Sequence, residues 1–313
     1  MQLILSIVIP FRDSKKFINK NLLCCNNIAK NLNIEIIYVD NCSSENIDFF
    51  GKKISKIKNI ALYKTKKKEG FGPGIARNLG IRKSKSKFIL FLDIDDLINE
   101  NKFHELLNYL KKTNANIINL KKVLIKNKRK ITSIPKYINY SKNNLKPFFI
   151  KQNNMESIGI VFKKNFLTKN KIFFQRGIYE DIFFVFKSYY FNTKKIEYFK
   201  KEIYKKFFYK NSITNRKLSL QHIEFKFLAF KKIISFLKKN LSKHEYANIK
   251  DNIQFRLRGE FANHFISIKK SRYNGNKSYN FIEYLKKKYI KLLNKNFLVK
   301  TKKDQLVNNI INV

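Results

Sequence analysis

Three carboxylates, Asp93, Asp95 and Asp96, stand directly behind the apolar run Phe88 to Leu92. A buried strand that ends in grouped aspartates suits a hard divalent cation, Mg²⁺ or Mn²⁺, which can in turn carry a phosphate. With no cation the grouped charges repel one another and resist ionisation. The same residues would also serve a strand end followed by an aspartate cap on the next helix. A second acidic pair, Glu180-Asp181, opens the apolar run Ile182 to Phe186. In the first turn of a helix such acids also favour the helix dipole.

The elements that must position these residues alternate through the first hundred positions. Leu3–Ile9 reads as a continuous apolar strand, Ile34–Val39 as a second buried strand, Asn59–Tyr63 as a short third and Lys87–Leu92 as the fourth. Helical spacing covers Ser14–Leu32. A second helix, Ile75 to Lys83, is opened by the turn Gly70-Phe71-Gly72-Pro73-Gly74. Strands without alternation, separated by helices, predict an α/β fold with a mostly parallel central sheet. Such sheets bind ligands beyond the carboxyl ends of their strands. Pro10, Asp40 and Asp93 all fall there.

Asn99–Lys112 follows as a helix, Ala115–Ile125, Ser157–Phe162 and Ile203–Tyr209 as strands, and Glu180–Phe191 as a helix. Lys126–Asn154 is irregular and rich in Lys and Asn, and Asn165–Gly177 reads as a loop. Beyond about residue 215 the pattern is helical. Ile223, Phe227, Phe230, Ile234 and Leu237 share one face, with Lys231, Lys232, Lys238 and Lys239 off it. The expected organisation is a catalytic domain over 1–214 and a basic, mainly helical region over 215–313.

The formal charge of the 313 residues is +45 at pH 7. Such a field attracts polyanions: nucleic acid, anionic lipid or a phosphorylated substrate. An abundance of Lys, Asn and Ile also reads as the composition of an AT-rich genome. Cys24, Cys25 and Cys42 form no metal-ligand spacing and suit a reducing compartment. No run is long and apolar enough to span a bilayer. The opening residues lack the pattern of a signal peptide. The reading is therefore cytoplasmic, with peripheral attachment to an anionic membrane face through the basic helices.

Six segments in order resemble the family 2 glycosyltransferases, inverting enzymes of the GT-A fold. They are Ser6–Pro10, Tyr38–Ser43, Gly72–Gly80, Phe91–Asp96, Tyr179–Phe184 and Tyr209–Thr214. The resemblance covers roughly residues 1–214. It implies a UDP-sugar donor, a glycan or lipid-linked saccharide acceptor, and a Mn²⁺ or Mg²⁺ cofactor in bacterial surface-glycan assembly such as lipopolysaccharide or polysaccharide. It further implies donor binding by Pro10, Phe11, Arg12, Asp40, Gly72, Arg77 and Asp93. Metal ligation falls on Asp95 with Asp93, and general-base catalysis on Asp181, with Glu180 orienting the acceptor or the base. Arg12 and Asp13 stand where the family often has tyrosine and asparagine, and Asn41 replaces a common second aspartate. His222 is a candidate for an additional metal ligand.

Two other readings compete. A metal-dependent nucleotidyltransferase would want a glycine-rich loop after the first strand, and Pro10-Phe11-Arg12-Asp13 has no glycine. A basic nucleic-acid-binding protein agrees with the charge, but no finger, helix-turn-helix or RNP-type signature is present. No specific nucleic-acid partner is expected.

Overall fold

A computed structural model describes residues 3–30, 33–67, 72–126, 129–133, 142, 144–150, 155–209, 219–270, 275–290, 292–293 and 301–311. The chain divides into two compact units, 1–141 with 155–212, and 142–154 with 213–313.

In the first unit the strands are β1 (Leu5–Phe11), β2 (Ile34–Asp40), β3 (Ile60–Lys64), β4 (Phe88–Phe91), β5 (Leu97–Ile98), β6 (Ile117–Lys126), β7 (Arg129–Ser133), β8 (Ile160–Lys163) and β9 (Glu197–Phe207). Among the described residues the helices are α1 (Lys15–Ala29), α2 (Asp48–Ile54), α3 (Pro73–Lys83), α4 (Glu100–Lys112), α5 (Lys146–Ile150), α6 (Lys164–Lys169), α7 (Glu180–Phe191), α8 (Leu220–Asn240), α9 (Lys243–Lys270), α10 (Gly275–Tyr289) and α11 (Lys302–Ile311). Among the described residues the sheet runs β3-β2-β1-β4-β8-β6-β9-β5, with β7 on β6.

The four strands expected from their apolar runs form one parallel block, β3-β2-β1-β4. All of β1 and β4 is buried, which is why neither alternates. Beyond the block the sheet becomes mixed. β8 lies antiparallel between β4 and β6, and β9 lies parallel to β6. The segment expected as a loop at 165–177 contains α6, and β9 begins six residues before the strand expected at Ile203.

Pro10 sits inside β1 without breaking the sheet. Val8 accepts a hydrogen bond from Leu92 N on the β4 side. Pro10 has the same parity, so its nitrogen faces the place where β4 has already ended. Strand β1 therefore runs on past β4, and the D-x-D-D residues leave the sheet beside it.

The second unit is helical and includes α5, which lies inside the segment that sequence reading gave to the first domain. Within this unit α9 packs against α5, α8, α10 and α11. The apolar stripe of α8, with Ile223, Phe227, Phe230, Ile234 and Leu237, is buried. Phe281, Leu285 and Tyr289 of α10 are buried as well. Lys231, Lys232, Lys238 and Lys239 are exposed. The α8 stripe and these α10 residues thus face a protein core, while the lysines, with Leu220 and Tyr279, remain outside. Among the described residues no helix is long and apolar enough to cross a membrane. Residues 210–214 of the sixth matching segment lie outside the described residues.

Candidate active site

The carboxyl ends of β1, β2 and β4 bring the first set of residues together. Asp40 closes β2 and is fully buried. Its Oδ1 accepts from Ser43 N at 2.9 Å, while Oδ2 has no hydrogen-bond partner and lies 3.7 Å from Lys64 Nζ. A buried carboxylate oxygen without a hydrogen-bond donor is costly. It suits a site that a ligand N–H completes.

Asn41 has a task that an aspartate could not perform. Its Nδ2 donates to Gly72 O at 3.1 Å, and its Oδ1 accepts from Thr65 Oγ1 at 3.1 Å. It ties the end of β2 to the turn that opens α3. Gly72 holds φ +108°, and a Cβ there would lie 2.2 Å from Gly177 O. The turn before α3 and the loop before α7 therefore meet backbone to backbone.

Arg12 and Phe11 part company. The Arg12 side chain is half exposed and reaches Asp13 Oδ2 at 3.4 Å. Phe11, expected against the donor, turns its ring into the core instead. It meets Tyr38 and Phe50 edge-on at 6.4 and 5.7 Å.

The D-x-D-D loop separates into two kinds of carboxylate. Asp96 is committed: it accepts from Tyr204 OH at 2.7 Å and Phe207 N at 2.8 Å. Asp93 and Asp95 face outward. One oxygen from each of Asp93, Asp95 and Asp96 lies within 4.8 Å of the others. Asp95 has no ion pair or side-chain hydrogen bond among the described residues. Burial, then Asp93, pushes its pKa up to about 6. Burial also holds Asp96 well above the carboxylate range, with Asp93 and Asp95 adding to it. An all-oxygen donor set with excess negative charge fits a hard divalent cation; Asp95 offers both oxygens to it, while Asp93 already shares Oδ1 with Arg77.

Arg77 joins this loop to the second acidic pair. It projects from α3 and is buried, with its side chain 4% exposed. Nη2 donates to Asp93 Oδ1 at 2.8 Å, and Nη1 donates to Glu180 Oε1 and lies 3.6 Å from Asp181 Oδ1. Burial opposes its charge, but Asp181, Asp93 and Glu180 outweigh burial, so its pKa is raised. Expected as a donor contact, Arg77 has both terminal nitrogens on the protein's own carboxylates. Burial, then Asp181, pushes Glu180 up to about 7. Asp181 is raised by burial and held back by Arg77 and Ser157.

Five supporting residues carry no sequence signal. Tyr204 and the Phe207 amide hold Asp96, Ser157 Oγ donates to Asp181 Oδ1 at 2.7 Å, and Lys206 Nζ meets Glu156 Oε1 at 2.9 Å. Each is a single polar group in an apolar or lysine-rich stretch. His222 lies elsewhere: it is the third residue of α8, and its Nδ1 accepts from Ser219 N at 3.2 Å in a capping box.

The profile of the family described as glycosyl transferase family 2 matches residues 6–177, more than half of the chain. The chain belongs to glycosyl transferase family 2. Among its relatives is a poly(ribitol-phosphate) beta-N-acetylglucosaminyltransferase, TarP, of Staphylococcus aureus (strain N315). It is 31% identical over 174 residues, covering 54% of this chain and 52% of the relative. An uncharacterized glycosyltransferase of Haemophilus influenzae is 33% identical over 108 residues, 34% of this chain and 42% of that protein. This family 2 chain thus spans about half the length of the curated relatives it matches. Its fold matches S. aureus TarS 1–349, solved in complex with UDP-GlcNAc, with a TM-score of 0.70 and 18% identity over 94% of this chain and 82% of that one. The GT-A architecture with a helical C-terminal region follows from that match.

Proposed function

We propose that this chain is an inverting glycosyltransferase that moves a sugar from a UDP-sugar to a surface-glycan acceptor, assisted by Mn²⁺ or Mg²⁺. Poly(ribitol phosphate) is the first acceptor to try, since TarP is named for it. The charge of +45 suits such a polyanion. The observation that carries the reading is Arg77. By bonding to Asp93 and Glu180 and approaching Asp181, it puts the leaving-group carboxylates and a candidate base in one site.

The proposed roles are these. Asp40 Oδ2 receives the N–H of the uracil ring, and the exposed Arg12 guanidinium stacks on the base. Pro10 shapes the wall of the base pocket. Gly72 and the first turn of α3 offer backbone N–H groups to the diphosphate. A divalent cation held by Asp93 and Asp95 would act as a Lewis acid on the diphosphate. Asp181 takes the proton of the attacking acceptor hydroxyl, and Glu180 orients it. Arg77 opposes the rise in pKa that burial imposes on both members of that acidic pair. Attack from the face opposite the diphosphate inverts the anomeric centre.

The test is a donor panel of UDP-, GDP- and CDP-sugars, followed by nucleotide release with Mn²⁺ and with EDTA. Fast turnover of one UDP-sugar, lost in EDTA, is expected. An NMR coupling constant of the new anomeric proton should report a β product from an α-linked donor. Full activity in EDTA would remove the metal, and a retained configuration would remove the mechanism.

A further inference from the structure

Asp181 is held by a turn that no motif marks. Residues 155–159 lead into β8, and Ser157 within them is fully buried. Its hydroxyl donates to Asp181 Oδ1 at 2.7 Å. A buried serine that spends its hydroxyl on a carboxylate fixes both its position and its ionised state.

The turn is itself strapped down. Lys122 of β6 is buried, and its Nζ lies 3.5 Å from both Glu156 Oε2 and Ile158 O, one residue on either side of Ser157. Its stem crosses Gly159, where a Cβ would come within 2.5 Å of Lys122 Cδ. Gly159 has φ +72°, so the turn has glycine geometry as well as glycine space. From the other side Lys206 Nζ holds Glu156 Oε1 at 2.9 Å. Burying a lysine costs free energy that a surface strap would not incur. Here that cost is spent on a turn with one outward contact to the acidic pair, Ser157.

We infer that Ser157 is a positioning residue for the base, and that Lys122 clamps the Glu156–Gly159 turn so that Ser157 keeps Asp181 aimed at the acceptor hydroxyl. This rests on the reading of Asp181 as base. The Ser157 hydroxyl is committed to Asp181, so its removal should slow transfer and leave donor binding alone. Misplacing a base by a fraction of an ångström is enough to slow a reaction severalfold.

The experiment compares the full-length wild type with Ser157→Ala, Ser157→Thr, Lys122→Met and Asp181→Asn. The donor is whichever UDP-sugar of the panel gives the fastest UDP release, with poly(ribitol phosphate) and with water alone as acceptor. Ser157→Ala should lower kcat about tenfold, the equivalent of one lost charge-assisted hydrogen bond. Donor KM and the Kd of UDP should stay within about twofold of wild type. Ser157→Thr, which keeps the hydroxyl, should restore most of the rate. Lys122→Met keeps Ser157 and should show the same kcat-selective loss, which covers the case in which Ser157→Ala fails to fold. Wild-type kcat in Ser157→Ala or Lys122→Met, or a parallel rise in donor KM, overturns the positioning role. Wild-type kcat in Asp181→Asn overturns the base instead, so the two failures are distinct.

Discussion

The two units use the same charged residues in opposite ways. In the helical unit buried charges are paired: Arg258 Nε meets Asp304 Oδ1 at 2.6 Å, and Glu260 is shared by Arg256 at 2.7 Å and Lys226 at 2.6 Å. At the sheet ends the acids outnumber their partners. Arg77 serves three carboxylates, Asp95 has no ion pair among the described residues, and Asp40 Oδ2 has no hydrogen-bond donor. Charge that is ion-paired holds helices in place. Charge left in excess is available to a cation, a nucleobase or a proton.

The sharpest way to break that contrast is at the base. Asp181→Asn should lower turnover by about 1,000-fold or more, with UDP affinity nearly unchanged, since the base acts on the acceptor. Calorimetric titration with UDP alongside a rate assay decides it. Near wild-type turnover would strip Asp181 of its role.

Next come two aspartates that look alike in sequence. Asp95→Asn should lose at least about 100-fold in rate, the scale of a major transition-state stabiliser, without lowering stability. Asp304→Asn should do the reverse. It leaves Arg258 buried and short of its partner, at a cost of about 3–5 kcal/mol in urea unfolding. If both variants lost the same property, the division between reserved and paired charge would be empty.

Proton linkage gives a smaller effect with opposite signs in the two units. Glu180 is raised from its ordinary 4.5 to about 7, so between those values the folded chain keeps a proton that the unfolded chain has released. Its contribution to stability therefore falls as pH rises from 4.5 to 7. His264 is lowered from 6.5 to about 4, chiefly by burial and then by Lys226. Here the unfolded chain holds the extra proton. The contribution of neutral His264 is complete above pH 6.5 and is lost as pH falls toward 4. Each slope amounts to at most about 3 kcal/mol. Unfolding at pH 4.5, 5.5, 6.5 and 7.5 should show the first slope removed by Glu180→Gln and the second by His264→Phe. Unchanged profiles in both variants would contradict the assignments.

Smallest is the membrane effect. The apolar stripes of α8 and α10 are buried within their unit, so attachment to an anionic surface rests on lysine charge, about 1 kcal/mol per residue and screened by salt. Flotation with anionic vesicles should occur at low ionic strength and weaken when Lys231, Lys232, Lys238 and Lys239 are replaced by Gln. Flotation that resists salt would demand an apolar anchor.

Much of the first half of the fold was legible because a parallel strand buried on both faces writes itself as an unbroken apolar run. Leu5–Phe11, Ile34–Asp40 and Phe88–Phe91 did so, and each delivered a polar residue to the same sheet edge. What stayed hidden depended on tertiary neighbours. Nothing local announces that β8 is inserted antiparallel between β4 and β6. Nor does anything show that α5 joins the helical unit, because its short apolar run fits either place. Phe11 shows the limit at single residues: it stands at the strand end where a ligand contact was expected, but its ring turns inward onto Tyr38 and Phe50. Arg77 was found by its motif, yet its buried partners come from loops far away in sequence. Ser157 and Lys122 had no periodicity or pairing to betray them.

The meeting of Gly72 with Gly177 has a further consequence. Where a Cβ would lie 2.2 Å from the opposing carbonyl, no side chain takes part in the joint. The distance between the turn proposed to meet the nucleotide and the helix that carries the proposed base is then set by bare peptide, like the fixed jaw of a caliper. Loops on either side can be rewritten for a new sugar or a new acceptor while that gap stays constant. An alanine at Gly72 would open the jaw itself, so it should impair every donor–acceptor pair alike instead of shifting preference among them.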